Sequence, residues 1–306
     1  MEQNDFIRYL LSKKSVDDRA LNLRVWNKLK ETLRKKGASK SPLRALEIGA
    51  GIGTMLTRML DDDLLPDCAY CLLDINEGNI QAAPGYLASW AATKHIAFEK
   101  HGENFYSIST PSAKINLEIF FADIFDFITE QNTKWDVLIG HAVLDLFDLS
   151  SAIPAMKAAL NPEGIMYFSI NYDGHTIFEP QINPLFEENL LYLYNQSMDE
   201  RLKDGNPSGD SQAGRHLFSH LKDQGIEILA AGSSDWVVFP GSGEYLHQEA
   251  EFLHHLIDTI YNEMKDHPKI NQAELGHWTT ERKNQIDNGD LVCIVHQLDF
   301  LGRVNI

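Results

Sequence analysis

Leu43-Arg44-Ala45-Leu46-Glu47-Ile48-Gly49-Ala50-Gly51-Ile52-Gly53 is the stretch whose reading decides the fold. Its first residues have the apolar spacing of a short buried strand. Glu47, Gly49, Gly51 and Gly53 then fall at alternate positions, and Thr54 to Leu60 continue with helical spacing. A strand, a tight glycine turn and a helix start together predict a nucleotide cradle. Glycine lets the backbone turn sharply and come close to a ligand. A fresh helix N-terminus offers unpaired N–H groups, and the carboxyl edge of an open α/β sheet is where such proteins bind ligands. The loop is not the dinucleotide fingerprint Gly-x-Gly-x-x-Gly, because its third glycine comes one residue early, and it lacks the Gly-Lys-Ser/Thr ending of a phosphate loop. An acid, Glu47, precedes the first glycine. That suits a ligand that is cationic at this point, with an amino group or a sulfonium, better than a pyrophosphate. The bland alternative is a packing turn with no ligand.

Outward from the loop, Ala69-Tyr70-Cys71-Leu72-Leu73-Asp74 reads as a second buried strand ending in an acid. In nucleotide folds an acid at this place accepts hydrogen bonds from the ribose hydroxyls, and a carboxylate offers two oxygens to two donors. Asp74 is expected there, with Ile75 flanking an adenine; its alternative role is to cap the next helix. Leu117 to Phe125 reads as a third strand ending at Asp123, and Trp135 to Leu146 as a fourth running into a loop. Gly164 to Tyr172 reads as a fifth, entered through the turn Asn161-Pro162-Glu163-Gly164. Ile226 to Gly232 and Trp236 to Phe239 supply a sixth, and Leu291 to Phe300 a last one.

Glu47-Ile48-Gly49-Ala50-Gly51-Ile52-Gly53, followed in order by Asp74, Asp123 and the loop after the fourth strand, resembles the class I S-adenosylmethionine-dependent methyltransferases of the small-molecule type. The resemblance covers roughly residues 40–240 and the last strand. It implies an α/β, Rossmann-like fold: a seven-stranded, mostly parallel sheet with an antiparallel last strand. It also implies S-adenosyl-L-methionine as cofactor, with S-adenosyl-L-homocysteine as product. Cofactor contacts would fall on Glu47, Gly49, Ala50, Gly51, Gly53, Asp74, Ile75 and Gly140. Asp123 would take the adenine amine and the backbone of Ile124 a ring nitrogen, the alternative being that Asp123 only caps a helix from Phe125 to Ile128. Gly140 and His141 would lie near the transferable methyl. An imidazole near neutral pKa can remove a proton, so His141 is the candidate base, its alternative being a hydrogen-bonding role only. The Asn/Asp-Pro-Pro-Tyr/Phe motif of DNA and protein amide methyltransferases is absent. Substrate candidates are His141, Asp145, Asn171, Tyr172 and His175. The expected activity is methyl transfer to a small molecule. The alternatives are aminopropyl transfer, for which Asp145 and Asp173 would supply acids, and a non-catalytic cofactor-binding regulatory subunit. The acceptor atom is not legible.

The rest of the chain bounds this reading. Its 306 residues are 43% hydrophobic, enough for one large domain with an insertion, and 27 basic against 44 acidic residues give a net charge of −17. Such a surface repels phosphate backbones and anionic membranes, which argues against a nucleic-acid substrate. Cys68, Cys71 and Cys293 are too few for a disulfide framework, and no second Cys-x-x-Cys completes a metal site. His247, Glu251 and His254 have ligand-like spacing but read as a solvated helix face. The start lacks the basic and apolar segments of a signal peptide, and no apolar run reaches the ~18 residues of a membrane span. A cytoplasmic protein, acting on a small molecule and compatible with a homodimer, is expected. Residues 1–40 predict an N-terminal helical cap, its second helix begun by Ser15 to Asp18. Residues 41–306 predict the catalytic domain, with a helical insertion at about 240–288 containing helices at 244–264 and 278–286. Pro84-Gly85 is expected to break the helix of residues 76–96, residues 97–114 to form a surface excursion, 184–198 a lid helix and 204–212 a mobile loop.

Overall fold

The computed structural model describes residues 3–39, 42–131, 133–203 and 205–305. The expected domain boundary at residues 40 and 41 and the first residue of the expected mobile loop, Asp204, lie outside the described residues. In chain order the elements are α1 (Gln3–Ala20), α2 (Leu23–Ser39), β1 (Leu43–Ile48), α3 (Thr54–Asp61), β2 (Cys68–Asp74), α4 (Glu77–Lys94), β3 (Ala97–Lys100), β4 (Phe105–Ser109), β5 (Lys114–Phe121), α5 (Ile124–Glu130) and β6 (Trp135–His141). There follow α6 (Leu149–Ala158), β7 (Leu160–Glu179), α7 (Pro184–Asp199), β8 (Leu202–Lys203), β9 (Asn206–Pro207), α8 (Ala213–Asp223), β10 (Ile226–Ser233), β11 (Trp236–Val238), α9 (Glu249–Met264), α10 (Gln272–Asp287) and β12 (Val292–Val304).

One sheet carries the fold, in the order β10-β12-β7-β6-β1-β2-β5-β4-β3, with β11 also paired to β12. Strands β7, β6, β1, β2 and β5 are mutually parallel. The last strand, β12, enters antiparallel between β10 and β7. The expected α/β fold with an antiparallel last strand is thus observed, but the sheet has ten strands among the described residues rather than seven, and the helical insertion sits where a hairpin would join β11 to β12. Strand alternation explains why both faces are covered. Leu43, Ala45, Tyr70, Leu72, Val137, Ile139, Ile165 and Tyr167 join one apolar cluster with the N-terminal and insertion helices. Their neighbours Leu46, Ile48, Cys71, Leu73, Leu138, Met166 and Phe168 join the other, against α5, α6 and α8. Successive side chains on a strand point to opposite faces, so a parallel sheet buried on both sides reads as a continuous apolar run.

Four expectations are corrected. Helix α4 runs through Pro84 without a break. The ~3 kcal/mol that an interior proline costs is offset by the buried side chains of Ala83, Leu87, Trp90 and Ala91. Residues 97–114 are not a loose excursion but include the hairpin β3–β4, which extends the sheet from β5. Phe98 and Tyr106 stack across it with ring centroids 5.3 Å apart. The fifth strand is longer than expected. Residues 161–164 bulge out of register between the Trp135–Leu160 and Val137–Ile165 pairs, and pairing with β12 continues to Glu179. Finally, Ser15 to Asp18 lie inside α1. The second helix is capped instead by Asn22, whose side-chain oxygen accepts from the N–H groups of Arg24 and Val25 at 3.1 Å each.

The N-terminal helices are pinned to the sheet. The Asn22 side chain also donates to Ser233 O at 2.8 Å, and its backbone N–H to Asp299 at 2.8 Å. Asn22→Ala is expected to lower stability by about 1–2 kcal/mol, through the lost cap; chemical denaturation would read this as a lower midpoint at unchanged slope. The insertion is fastened by Arg282 of α10, fully buried, which pairs with Glu187 of α7 and donates to Pro180 O at 2.7 Å. Trp278 donates to the same Glu187 at 2.7 Å. The expected helix 278–286 is therefore the second half of the longer α10.

Candidate functional site

The glycine loop leaves β1 at the sheet centre, next to β6. Chain order diverges there, since β2 and β5 lie to one side and β6 and β7 to the other, and a crevice at such a point is the usual ligand site of an open α/β sheet. Gly49, Gly51 and Gly53 have φ of 59°, 56° and 88°, the left-handed region that disfavours side chains. A Cβ on Gly49 would stand 2.6 Å from Val143 Cγ2, so the first position is closed to alanine on both counts. The loop is held by two N–H bonds, from Ala50 to Leu73 O at 3.0 Å and from Gly51 to Asp74 Oδ2 at 2.7 Å. Asp74 Oδ1 accepts from Asn76 N at 2.7 Å. The cap of α4 is Asn76 itself, so Asp74 fixes the loop rather than the helix. Beside it Ile75 and Phe121 are 56% and 55% exposed, and Leu146 is also exposed.

The other cofactor candidates divide. Ala50 and Ile124 are buried. Asp123 caps α5 by accepting from Phe125 N at 2.8 Å and pairs with Lys203 of the β8–β9 hairpin at 2.7 Å. Gly140, next to last in β6, has no room for a side chain, a Cβ there meeting Leu144 at 2.9 Å. Glu47 does not face the crevice as a free anion. It is 1% exposed, accepts from Tyr70 Oη at 2.6 Å, and burial pushes its carboxyl up to about 8.

His141 is brought into a buried polar cluster that no local sequence signal announces. Its Nδ1 lies 2.8 Å from Ser169 Oγ and its Nε2 3.0 Å from Asp17 Oδ2 of α1. Arg58 Nη1 is 3.1 Å from the same Nε2. The carboxylate contact favours the tautomer with the proton on Nε2, Ser169 then donating to Nδ1. Burial, with Arg58 and Lys13 nearby, pushes the imidazole down to about 4 although Asp17 opposes this. Such a ring is neutral at physiological pH, with both nitrogens engaged. Asp17 is the hub. Its Oδ1 accepts from Trp236 Nε1 at 2.9 Å, and Lys13 and Arg58 lie 3.4 and 3.5 Å from Oδ2. Burial raises its carboxyl, but Lys13, His141 and Arg58 outweigh that and hold it well below the usual carboxylate range. Arg58 also pairs with Asp18. The same helix lays Leu10 against the glycine loop, 3.2 Å from where a Gly51 Cβ would be.

Past the end of β6 lies a cavity of about 170 Å³, walled by α1, β7, α7, β11, α9 and β12. Of the substrate candidates, Asp145 and Tyr172 line it. Asn171 and His175 do not. Asn171 is buried within the sheet, donating to Leu298 O at 2.7 Å, and His175 is exposed on β7. Asp173 is held by Arg215 at 2.8 Å, away from Asp145's cavity. Arg19, Asn22 and Trp26 make packing contacts, with Glu249, Ser233 and Asp62 respectively. Residues that sequence reasoning missed are Lys13, Asp17, Arg58, Ser169, Trp236 and Gln297. Only the polar pair Lys13 and Asp17, four apart on an amphipathic helix, carried a faint sign, and it reads equally as a surface ion pair. Among the described residues no group of His, Cys, Asp and Glu could hold a metal ion, and no helix is long and apolar enough to cross a membrane.

No family model matches the chain, and no curated protein matches it. Among solved structures it is similar to a SAM-dependent methyltransferase from Thiobacillus denitrificans in complex with S-adenosyl-L-homocysteine, at 12% identity over 90% of this chain and 91% of that one, TM-score 0.43. It is similar to YjhP from E. coli at 13% identity over 90% and 92%, TM-score 0.42. The cyclopropane synthase MmaA2 from Mycobacterium tuberculosis matches at 10% identity over 90% and 83%, TM-score 0.42. Likeness this loose carries no argument about activity, which has to come from the chain's own residues.

Proposed function

We propose that the chain binds S-adenosyl-L-methionine at the carboxyl ends of β1, β2 and β6 and transfers its methyl group to a small molecule. The observation that carries this reading is the loop of three left-handed glycines tied by Gly51 N–H to Asp74. The site residues fit such a group. Each Asp74 oxygen accepts one N–H here, and a carboxylate has about four lone-pair sites, so two remain for a ribose diol. The exposed apolar side chains of Ile75 and Phe121 beside it suit the faces of an adenine ring. When bound, the cofactor would supply an electrophilic methyl on a sulfonium.

The chain's own contribution is then position and exclusion of water. Gly140 keeps the end of β6 bare, and α1 closes over the loop, holding reactants at near-attack distance. His141, engaged by Asp17 and Ser169, orients the end of β6; as a base it would take a proton on Nδ1, which now accepts from Ser169, with Asp17 stabilising the imidazolium. The aminopropyl alternative is weakened because Asp173 is held by Arg215 rather than beside Asp145.

Calorimetry tests the reading. Heat is expected with S-adenosylmethionine and with S-adenosylhomocysteine, and Asp74→Asn should weaken both about 10- to 100-fold, the worth of one or two charge-assisted hydrogen bonds. Absence of heat on folded protein overturns it. Binding without label transfer from the cofactor to any component of a metabolite extract would favour the regulatory-subunit reading.

A further inference from the structure

The 170 Å³ cavity beyond β6 is an unusual place to leave polar groups without partners. Gln297 of β12 lines it, is 2% exposed, and its Oε1 has no hydrogen-bond partner. A buried amide left unpaired costs roughly 1–3 kcal/mol, so a protein keeps one where something else completes it. Asp145 lines the same wall. Its carboxylate has no ion pair among the described residues, and burial pushes its pKa up. The hydroxyls of Tyr9 and Tyr194, also at the wall, make no hydrogen bond among the described residues. The backbone adds an independent sign. Ala142, just past the end of β6, and Ile170, midway along β7, line the cavity with φ of 51° and 58°. A β-branched residue in the left-handed region is an outlier, and such strain gathers at ligand sites.

The charges decide what fits. Lys13 is the cation at the wall, and it already faces Asp17 at 3.4 Å and the Trp236 ring at 5.3 Å. Asp145 is the acid at the wall, and Lys13 and Arg201 act on it only at longer range, without forming an ion pair. An anionic ligand would leave it more isolated, whereas a cation would pair with it, and aromatic walls accept cations. Size sets the other limit, since an engineered cavity of ~150 Å³ takes benzene. We propose that this cavity holds the methyl acceptor and that the acceptor is a compact aryl-alkyl amine bound as its ammonium, with Asp145 pairing the charge and the Gln297 amide meeting a second polar group; for transfer the ammonium passes one proton to the Asp145 carboxylate, and the freed nitrogen lone pair takes the methyl as its bond to sulfur breaks and the thioether leaves. Naming the ligand an acceptor rests on the methyl-transfer reading; the pocket and its charge preference do not.

The test is therefore made on the full chain without cofactor, by calorimetric titration with benzylamine, benzyl alcohol and benzoate. Benzylamine is expected to bind at least tenfold tighter than benzyl alcohol, and benzoate not to bind. Asp145→Asn should erase the preference for the cation. Gln297→Met should weaken ligand binding while raising the thermal midpoint, because it removes an unpaired buried amide; a residue with a merely structural role would lower the midpoint. Binding of benzoate equal to or above that of benzylamine, no binding of any probe, or an unchanged order in Asp145→Asn overturns the proposal. Heat with S-adenosylmethionine but no preference for benzylamine sinks this inference alone. Benzylamine binding without cofactor heat sinks the cofactor reading alone.

Discussion

Asp17→Asn is expected to lose about 3–5 kcal/mol of folding stability, the usual effect of removing one partner from a buried charge pair. The side chains of Asp17, Lys13 and Arg58 are nearly inaccessible to solvent. Arg58 keeps Asp18, but Lys13 has no other acid within ion-pair distance among the described residues. An amide in place of the carboxylate leaves that ammonium buried without a counter-charge. Denaturant unfolding should show the midpoint falling at unchanged slope. Lys13→Met added to Asp17→Asn should recover part of the loss, a coupling that a double-mutant cycle measures. The effect is also pH-linked. A carboxyl held low in the fold contributes stability above its unfolded pKa, here 3.8, and that contribution disappears as pH falls through the folded value. The Asp17→Asn variant should therefore show a flatter acid limb than the parent. A loss under about 1 kcal/mol, the range of exposed pairs, would mean that the cluster is wet and does not fasten α1. Because α1 carries both Asp17 and Leu10, the variant should also speed amide exchange along residues 6–20 and open the glycine loop to ligand.

Glu47→Gln should act with the opposite sign. An unfolded glutamate titrates near 4.5, and burial lifts Glu47 to about 8 in the fold. Between those values unfolding releases a proton, so the protein loses stability as pH rises from about 4.5 to 8. At about 1.4 kcal/mol per pKa unit the full span is roughly 3–5 kcal/mol. Glutamine is neutral at every pH and can still accept from Tyr70 Oη. The variant should match the parent near pH 4 and exceed it by that amount above pH 8. Unfolding midpoints at three pH values across the window check this, and parallel curves for both proteins would exclude it. The same burial changes the role foreseen for Glu47. In the ligand-free fold it is largely a neutral acid within the sheet, so a cationic ligand would be met by the loop it supports rather than by its carboxylate directly.

What was legible and what was not separates by distance along the chain. The strand–loop–helix from Leu43 to Leu60, the strand ending at Asp74 and the apolar strands that follow are written in local periods of two and 3.6 residues, and all formed as those elements. Asp17 was taken for part of a helix cap because its partners lie far off, 124 residues away at His141 and 219 at Trp236. No local pattern encodes such a meeting. Pro84 misled because a breaker signal weighs intrinsic propensity alone, whereas packing of Leu87 and Trp90 sets the outcome. Gln297 was invisible for a different reason. In sequence it alternates correctly on a strand, and its loss of water depends on distant elements, α1, α7 and α9, closing around the same cavity.

The position of β12 has a consequence for how the polypeptide reaches this shape at all. As the ribosome releases the chain N-terminus first, β7 and β10 can both be made while the strand that separates them is still missing. Until Val292–Val304 is threaded between them, each presents an open edge that could template pairing with another molecule. Long-range closure of this kind is intrinsically slow, so both edges are expected to stay open until Val292–Val304 pairs with them.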